Sequence, residues 1–104
     1  MSSTPKRMKE QTRQRLERFI ELVIIGLKGL PDHGIAVPER EAYRKAELDL
    51  VVVLEEAGAR FSFEGGSECV TLAGTRGTST NGCEGALRNW LKAAERRLAK
   101  AGAA

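Results

Sequence analysis

Residues 16–30, LERFIELVIIGLKGL, decide the fold because they carry the clearest helical pattern in the chain. Their apolar side chains recur three or four residues apart, which is the spacing of one buried helix face. The pattern predicts that this face contains Leu16, Phe19, Ile20, Val23, Leu27 and Leu30. Thr4 and Pro5 are suited to starting the helix, as a cap and a first helical residue.

The apolar stripe of this helix is wider than a surface helix needs, because Leu22, Ile24 and Ile25 extend it. Either two other elements cover the helix, or part of it meets a partner. A core of this size is modest, so self-association is a natural supplement. We therefore predict a homodimer whose self-association face comprises Phe19, Ile20, Val23, Ile24 and Leu27.

A second helix can begin at Pro38, with Glu39 and Glu41 in its first turn, and end at Gly58. Residues 48–54, LDLVVVL, are β-branched enough to form a strand instead. The residues on both sides are helix formers, so we predict helix and keep strand as the alternative.

Residues 60–72 predict a β-hairpin, because Phe61 and Phe63 alternate with polar residues and Gly65-Gly66 supplies a two-residue turn. In that register Phe61 faces Val70. Residues 74–82 are predicted to be a loop, and Asn81 followed by Glu84 resembles a capping box for the last helix. This helix is expected to bury Leu87, Trp90, Leu91, Ala94, Leu98 and Ala101.

The predicted fold class is therefore α+β, with two helices, a β-hairpin and a C-terminal helix in the order α-α-β-β-α. The 104 residues fit one small domain, 1–104, whose ends at 1–12 and 102–104 are expected to fray. No secretory signal or membrane-length apolar segment is visible, and two cysteines do not make a disulfide framework. We predict a cytoplasmic protein with free thiols and no membrane association.

Charge is distributed unevenly along the chain. Residues 1–18 hold six basic side chains against two acidic ones, and residues 88–104 hold five against one. The net charge of the whole chain is only +3, so residues 19–87 are acidic overall. Basic ends around an acidic centre favour association with an acidic partner or with another copy.

Groups that could carry catalysis are few. His33 is the only histidine, and it lies in a Pro-Asp-His-Gly turn. Cys83 falls in the first turn of the last helix, where a thiol pKa can be depressed, but no base is near it in sequence. No pair of residues has zinc-ligand spacing. We predict no catalytic residue, no metal site and no cofactor.

Basic side chains mark the other candidate contacts. The loop at 74–82 combines Arg76 with several hydroxyls, as an anion-binding loop would. The last helix has a mostly basic outer face, which could follow a phosphate backbone. The candidate partner or phosphate contacts are Arg76, Arg88, Lys92, Arg96 and Arg97. The acidic second helix argues against a helix-turn-helix interpretation.

The closing segment, GTSTNGCEGALRNWL at 77–91 continuing to RRL at 96–98, resembles the ends of small uncharacterised proteins from temperate bacteriophages and prophages. The resemblance covers about a quarter of the chain and carries over no catalytic residue. It implies a bacterial cytoplasm and a protein that binds and redirects host factors, as anti-CRISPR or anti-activator proteins do.

Three functions follow in order of preference. The first is a non-enzymatic interaction protein, a phage-encoded modulator or inhibitor of a host protein. The second is a nucleic-acid-binding accessory protein that uses the basic face of the last helix. The third is an enzyme that uses Cys83 or the loop at 74–82.

Overall fold

The computed structural model describes residues 9–103 and contains three helices and a three-stranded antiparallel sheet in the order α-α-β-β-β-α. The helices are α1 (Glu10–Lys28), α2 (Val37–Glu56) and α3 (Gly82–Ala103). The strands are β1 (Arg60–Glu64), β2 (Ser67–Leu72) and β3 (Thr75–Ser79). The predicted α+β class is confirmed. The helix start at Thr4 and Pro5 lies outside the described residues, and the fraying of the chain ends stays a prediction.

Helix α1 buries the predicted face. Leu16 and Val23 are fully buried, and Phe19, Ile20 and Leu27 are nearly so. Leu22, Ile24 and Leu30 are partly buried and pack against the same core. Most of the wide stripe is therefore covered by the rest of the chain, and Ile25 alone among its large apolar side chains is exposed.

Residues 48–54 are helical, as predicted, because they form the second half of α2. Leu50 and Leu54 enter the core from this segment. The helix ends in a Schellman motif, in which the Gly58 N–H donates to Glu55 and the Ala59 N–H donates to Leu54. Gly58 takes a φ of +112°, which favours glycine and explains why the helix stops there.

The predicted hairpin is present, with Phe61 opposite Val70 and a turn at Gly65-Gly66. The prediction that residues 74–82 form a loop was wrong, because Thr75–Ser79 is a third strand paired with β2. The connection is a second two-residue turn, Ala73-Gly74, in which both residues have positive φ. Glycine, threonine and serine in this segment suggested a loop, but Leu72 and Val70 pair with Thr75 and Gly77 on the buried side.

Helix α3 lies across β2 and β3, while α1 packs against α3 and α2 packs beside β1 and α3. Gly77 of β3 is the point of closest approach. A Cβ at this position would lie 2.4 Å from the Ala86 carbonyl oxygen and 2.5 Å from the backbone nitrogen of Trp90. Only glycine lets the strand meet the backbone of α3 at this distance.

Trp90 and Arg97 of α3 hold the turn between β2 and β3. The buried Trp90 indole N–H donates to the carbonyls of Leu72 and Thr75, at 3.1 Å each. The Arg97 Nη1 donates to the Ala73 carbonyl at 2.7 Å and to the Thr75 hydroxyl at 2.9 Å. These bonds satisfy polar groups that the helix removes from water.

We predict that Gly77→Ala lowers the free energy of unfolding by about 3 kcal/mol or more, because the new methyl group meets backbone that cannot rotate away. Gly29→Ala is the matched control. Its Cβ would be 3.6 Å from the nearest atoms, so its effect should stay within about 0.5 kcal/mol. Urea unfolding followed by Trp90 fluorescence measures both, and equal effects of the two variants would contradict the packing at Gly77.

Candidate functional site

A cluster of polar side chains surrounds Glu84 in the first turn of α3. The Tyr43 hydroxyl from α2 donates to the Glu84 carboxylate and lies 3.3 Å from Glu47 Oε2. Arg88 Nη2 approaches the other Glu84 oxygen to 2.8 Å. The exposed His33 completes the cluster, with Nε2 at 3.4 Å from Glu84 and its ring stacked on Tyr43 at 3.8 Å between centroids.

The cluster shifts the pKa values of Glu84 and Tyr43 in opposite directions. The Tyr43 hydrogen bond, and then Arg88, hold the pKa of the Glu84 carboxyl below its usual value, while partial burial acts the other way. Burial, and then the hydrogen bond to Glu84, raise the pKa of the Tyr43 hydroxyl well above its usual value. At neutral pH the arrangement is an ionised carboxylate held by a neutral phenol and a guanidinium. It joins α2 and the 29–36 connection to α3.

The capping box predicted from Asn81 and Glu84 does not form as expected. The Asn81 backbone N–H donates to the Ser79 hydroxyl at 2.9 Å. Glu84 instead accepts hydrogen bonds from Tyr43, far away in sequence, and from Arg88. Spacing along the chain could not reveal the partner contributed by α2.

The Cys83 thiol does not have the surroundings of a reactive thiol. Burial, and then the Glu68 and Glu47 carboxylates, raise the pKa of the Cys83 thiol to about 11, the opposite of the depression that a helix start can cause. Cys69 is buried on the outer face of the sheet, where Arg76 Nη2 lies 3.3 Å from its Sγ. Among the described residues, His33 forms no hydrogen bond with the thiol of Cys69 or Cys83. Within residues 9–103 no group of three or more metal-ligating side chains converges.

The structure places the five predicted partner or phosphate contacts on two elements: Arg76 lies on β3, and the other four lie on α3. Three of them are engaged within the chain: Arg76 pairs with Glu64 at 3.1 Å, Arg88 pairs with Glu84, and Arg97 holds the turn at Ala73. Lys92 and Arg96 remain exposed on α3 and flank Glu95.

The predicted self-association face lies inside the folded chain. Phe19, Ile20, Val23 and Leu27 belong to the core, and Ile24 is partly buried against it. A second copy could reach these side chains only if the core opened. The periodicity of α1 identified a buried face correctly, but α3 and the rest of the core cover that face.

A basic cleft lies between the start of α1 and the sheet. It has a volume of about 280 Å³ and is open to solvent. Its lining contains two arginines and two threonines but no acidic residue: Thr12, Arg15, Gly58, Arg60, Thr71, Leu72, Ala73 and Gly74. Arg15 lies over the Phe19 ring at 5.5 Å. Arg15 and Arg60 are far apart in sequence, so no local motif could have indicated the cleft.

Helix α2 exposes apolar side chains on the side away from the core. Leu48 is 59% exposed and Val52 is 51% exposed. Each lies two residues before a core residue, Leu50 or Leu54, and therefore points about 200° away around the helix. The two are four residues apart and so share one face. Charged neighbours surround this pair on a helix that carries six acidic and three basic residues.

No helix among the described residues is long and apolar enough to cross a bilayer. Comparison of the chain with protein-family models, with curated proteins and with solved structures finds no match.

The chain contains one tyrosine, so tyrosinate absorbance reports Tyr43 alone. We predict that Tyr43 stays protonated in the folded protein at about pH 10.5, where most of an unfolded tyrosine is ionised. Because its folded pKa is raised, its contribution to stability is complete below about pH 10 and declines as the pH rises further.

Glu84→Gln is the control for this titration. Removing the carboxylate should move the Tyr43 pKa back toward its ordinary value, because the negative acceptor is gone. A Tyr43 that titrates identically with and without Glu84 would show that the hydrogen bond does not govern this hydroxyl.

Proposed function

We propose that this protein is a small non-enzymatic interaction protein that binds a host protein in a bacterial cytoplasm, as a phage-encoded modulator would. The observation that carries the proposal is the exposed pair Leu48 and Val52 on the solvent side of α2. The core is complete without them, because Leu50 and Leu54 fill the buried side of the same helix. Exposed apolar pairs on an otherwise charged helix are suited to partner contact.

The charges around this pair define the chemistry of the partner. Acidic side chains outnumber basic ones on α2 by two to one. A partner with an apolar patch bordered by lysine or arginine would match both the apolar and the charged parts of this face. The raised pKa of the Cys83 thiol supports binding over thiol catalysis at this position, because a protonated thiol is a weak nucleophile.

We predict that Leu48→Gln with Val52→Gln lowers affinity for the bound host protein by at least about tenfold, because two apolar anchors are lost. The tagged chain and its variants would be used to capture proteins from a nuclease-treated bacterial lysate, and the affinity of each captured protein would then be measured. Stability should change little, since both side chains are largely exposed.

Ile25→Gln is the matched control, because it removes a similarly exposed apolar side chain from α1. A protein that binds the double variant as tightly as the unaltered chain does not use this face. Recovery of nucleic acid alone from an untreated lysate would contradict the proposal.

A second candidate is nucleic-acid binding, which is favoured by the cleft that contains Arg15 and Arg60. Two guanidinium groups, two hydroxyl groups and no carboxylate line it. Phosphate groups attract such a surface electrostatically, and binding of this kind weakens steeply with salt.

We predict for this candidate that Arg15→Gln with Arg60→Gln weakens DNA binding at low salt and makes the salt dependence shallower. The slope of log K against log salt concentration should fall by about two, one for each phosphate contact removed. Arg40→Gln with Arg44→Gln, two exposed bases of α2, is the control of equal charge. Absence of any gel shift at low salt would remove this candidate.

A further inference from the structure

Strand β1 is an open edge of the sheet. The strand order is β1-β2-β3, so β1 and β3 each have one unpaired side. At β3 the Asn89 side chain of α3 donates to the Thr78 carbonyl at 2.6 Å. In the described part of the chain, no side chain forms a hydrogen bond with the backbone of β1. Four of its five residues are exposed, although α2 packs beside it.

The hairpin turn determines which backbone groups face this open side. In a two-residue turn the closing pair, Glu64 and Ser67, exchanges both backbone hydrogen bonds. Hydrogen-bonded residues alternate along an antiparallel strand, so Ser62 and Arg60 also bond to β2. The N–H and C=O groups of Phe61 and Phe63 therefore point away from β2, as an unpaired edge that can accept another strand.

The sequence of β1, RFSFE at residues 60–64, is complementary to itself when read in the opposite direction. An antiparallel pair centred on Ser62 places Arg60 opposite the partner's Glu64, an exposed carboxylate that also pairs with Arg76 of its own chain at 3.1 Å. It also places Phe61 opposite the partner's Phe63, with the free backbone groups of both residues in register. Opposite charges and aromatic rings that face each other across strands are favourable pairs.

Exposed apolar surface lies on the same strand. Phe63 is 67% exposed, and it shares the inner face of the sheet with Phe61, which packs against the core. Across the centred pairing, the two Phe61 and two Phe63 rings would form one cluster that continues the cores of both copies. A single copy leaves the Phe63 ring in water.

We propose that β1 is the interface of a homodimer in which two copies of this chain pair antiparallel about Ser62 to form a continuous six-stranded sheet. The charge complementarity between Arg60 and the partner's Glu64 selects a second copy as the occupant of this edge. The face of α1 that is buried in the core takes no part.

Reversing single charges tests the proposal by analytical ultracentrifugation. Arg60→Glu and Glu64→Arg each turn two cross-strand pairs from opposite to like charge. Each should raise the dimer dissociation constant by at least about tenfold. The double variant Arg60→Glu with Glu64→Arg restores opposite pairs and should dimerise again. Arg96→Glu, an exposed base on α3, is the control and should leave dimerisation unchanged.

Mixing the two single variants is the sharpest measurement. The Arg60→Glu chain carries only acidic side chains at positions 60 and 64, and the Glu64→Arg chain carries only basic ones there. The mixture should therefore form a heterodimer although each variant alone is monomeric, and this rescue excludes misfolding as the cause. A wild-type chain that stays monomeric up to about 100 μM, or single variants that still dimerise, would overturn the proposal.

Discussion

The close approach of β3 to α3 at Gly77 is the contact on which the rest of the structure depends. It brings the Trp90 indole over the turn between β2 and β3, where its N–H satisfies the carbonyls of Leu72 and Thr75. Arg97 adds a second hold on the same turn, about two helical turns further along α3. Strand β3 has little apolar content of its own, so it is stabilised by what α3 contributes. The helix in turn provides the surface on which α1 packs.

Tertiary packing gives basic side chains that the sequence does not distinguish different surroundings. Arg97, Arg88 and Arg76 belong to one basic set in the sequence, and each has a partner within the chain, although Arg88 and Arg76 remain exposed. Arg15 and Arg60, which belong to different elements, are brought to one cleft without an acidic neighbour in its lining. Apolar side chains also differ in their surroundings. The α1 stripe is buried in the core, whereas Leu48 and Val52 of α2 are exposed. The side chains that neither the core nor the turn engages remain exposed at the surface.

Much of the fold could be predicted because its signals are local. The spacing of Leu16, Val23 and Leu27 marks the buried face of α1, and Gly65-Gly66 marks the first turn. The third strand could not be predicted, because the glycine and hydroxyl residues of 75–79 have the composition of a loop. They form a strand because α3 packs on them. The polar cluster at Glu84 was equally hidden. Its main hydrogen-bond donor, Tyr43, lies 41 residues away, and capping spacing suggested Asn81 instead.

The sequence by itself determined the helices, the hairpin and the register of Phe61 with Val70, because periodicity and turn residues act over short distances along the chain. Only the tertiary structure decided that residues 75–79 form a strand, that four of the five residues assigned to self-association are buried, and that β1 is an open edge. Those outcomes depend on which surfaces meet in space. Burial and hydrogen-bond partners are properties of pairs of elements, and no single segment contains both members of the pair.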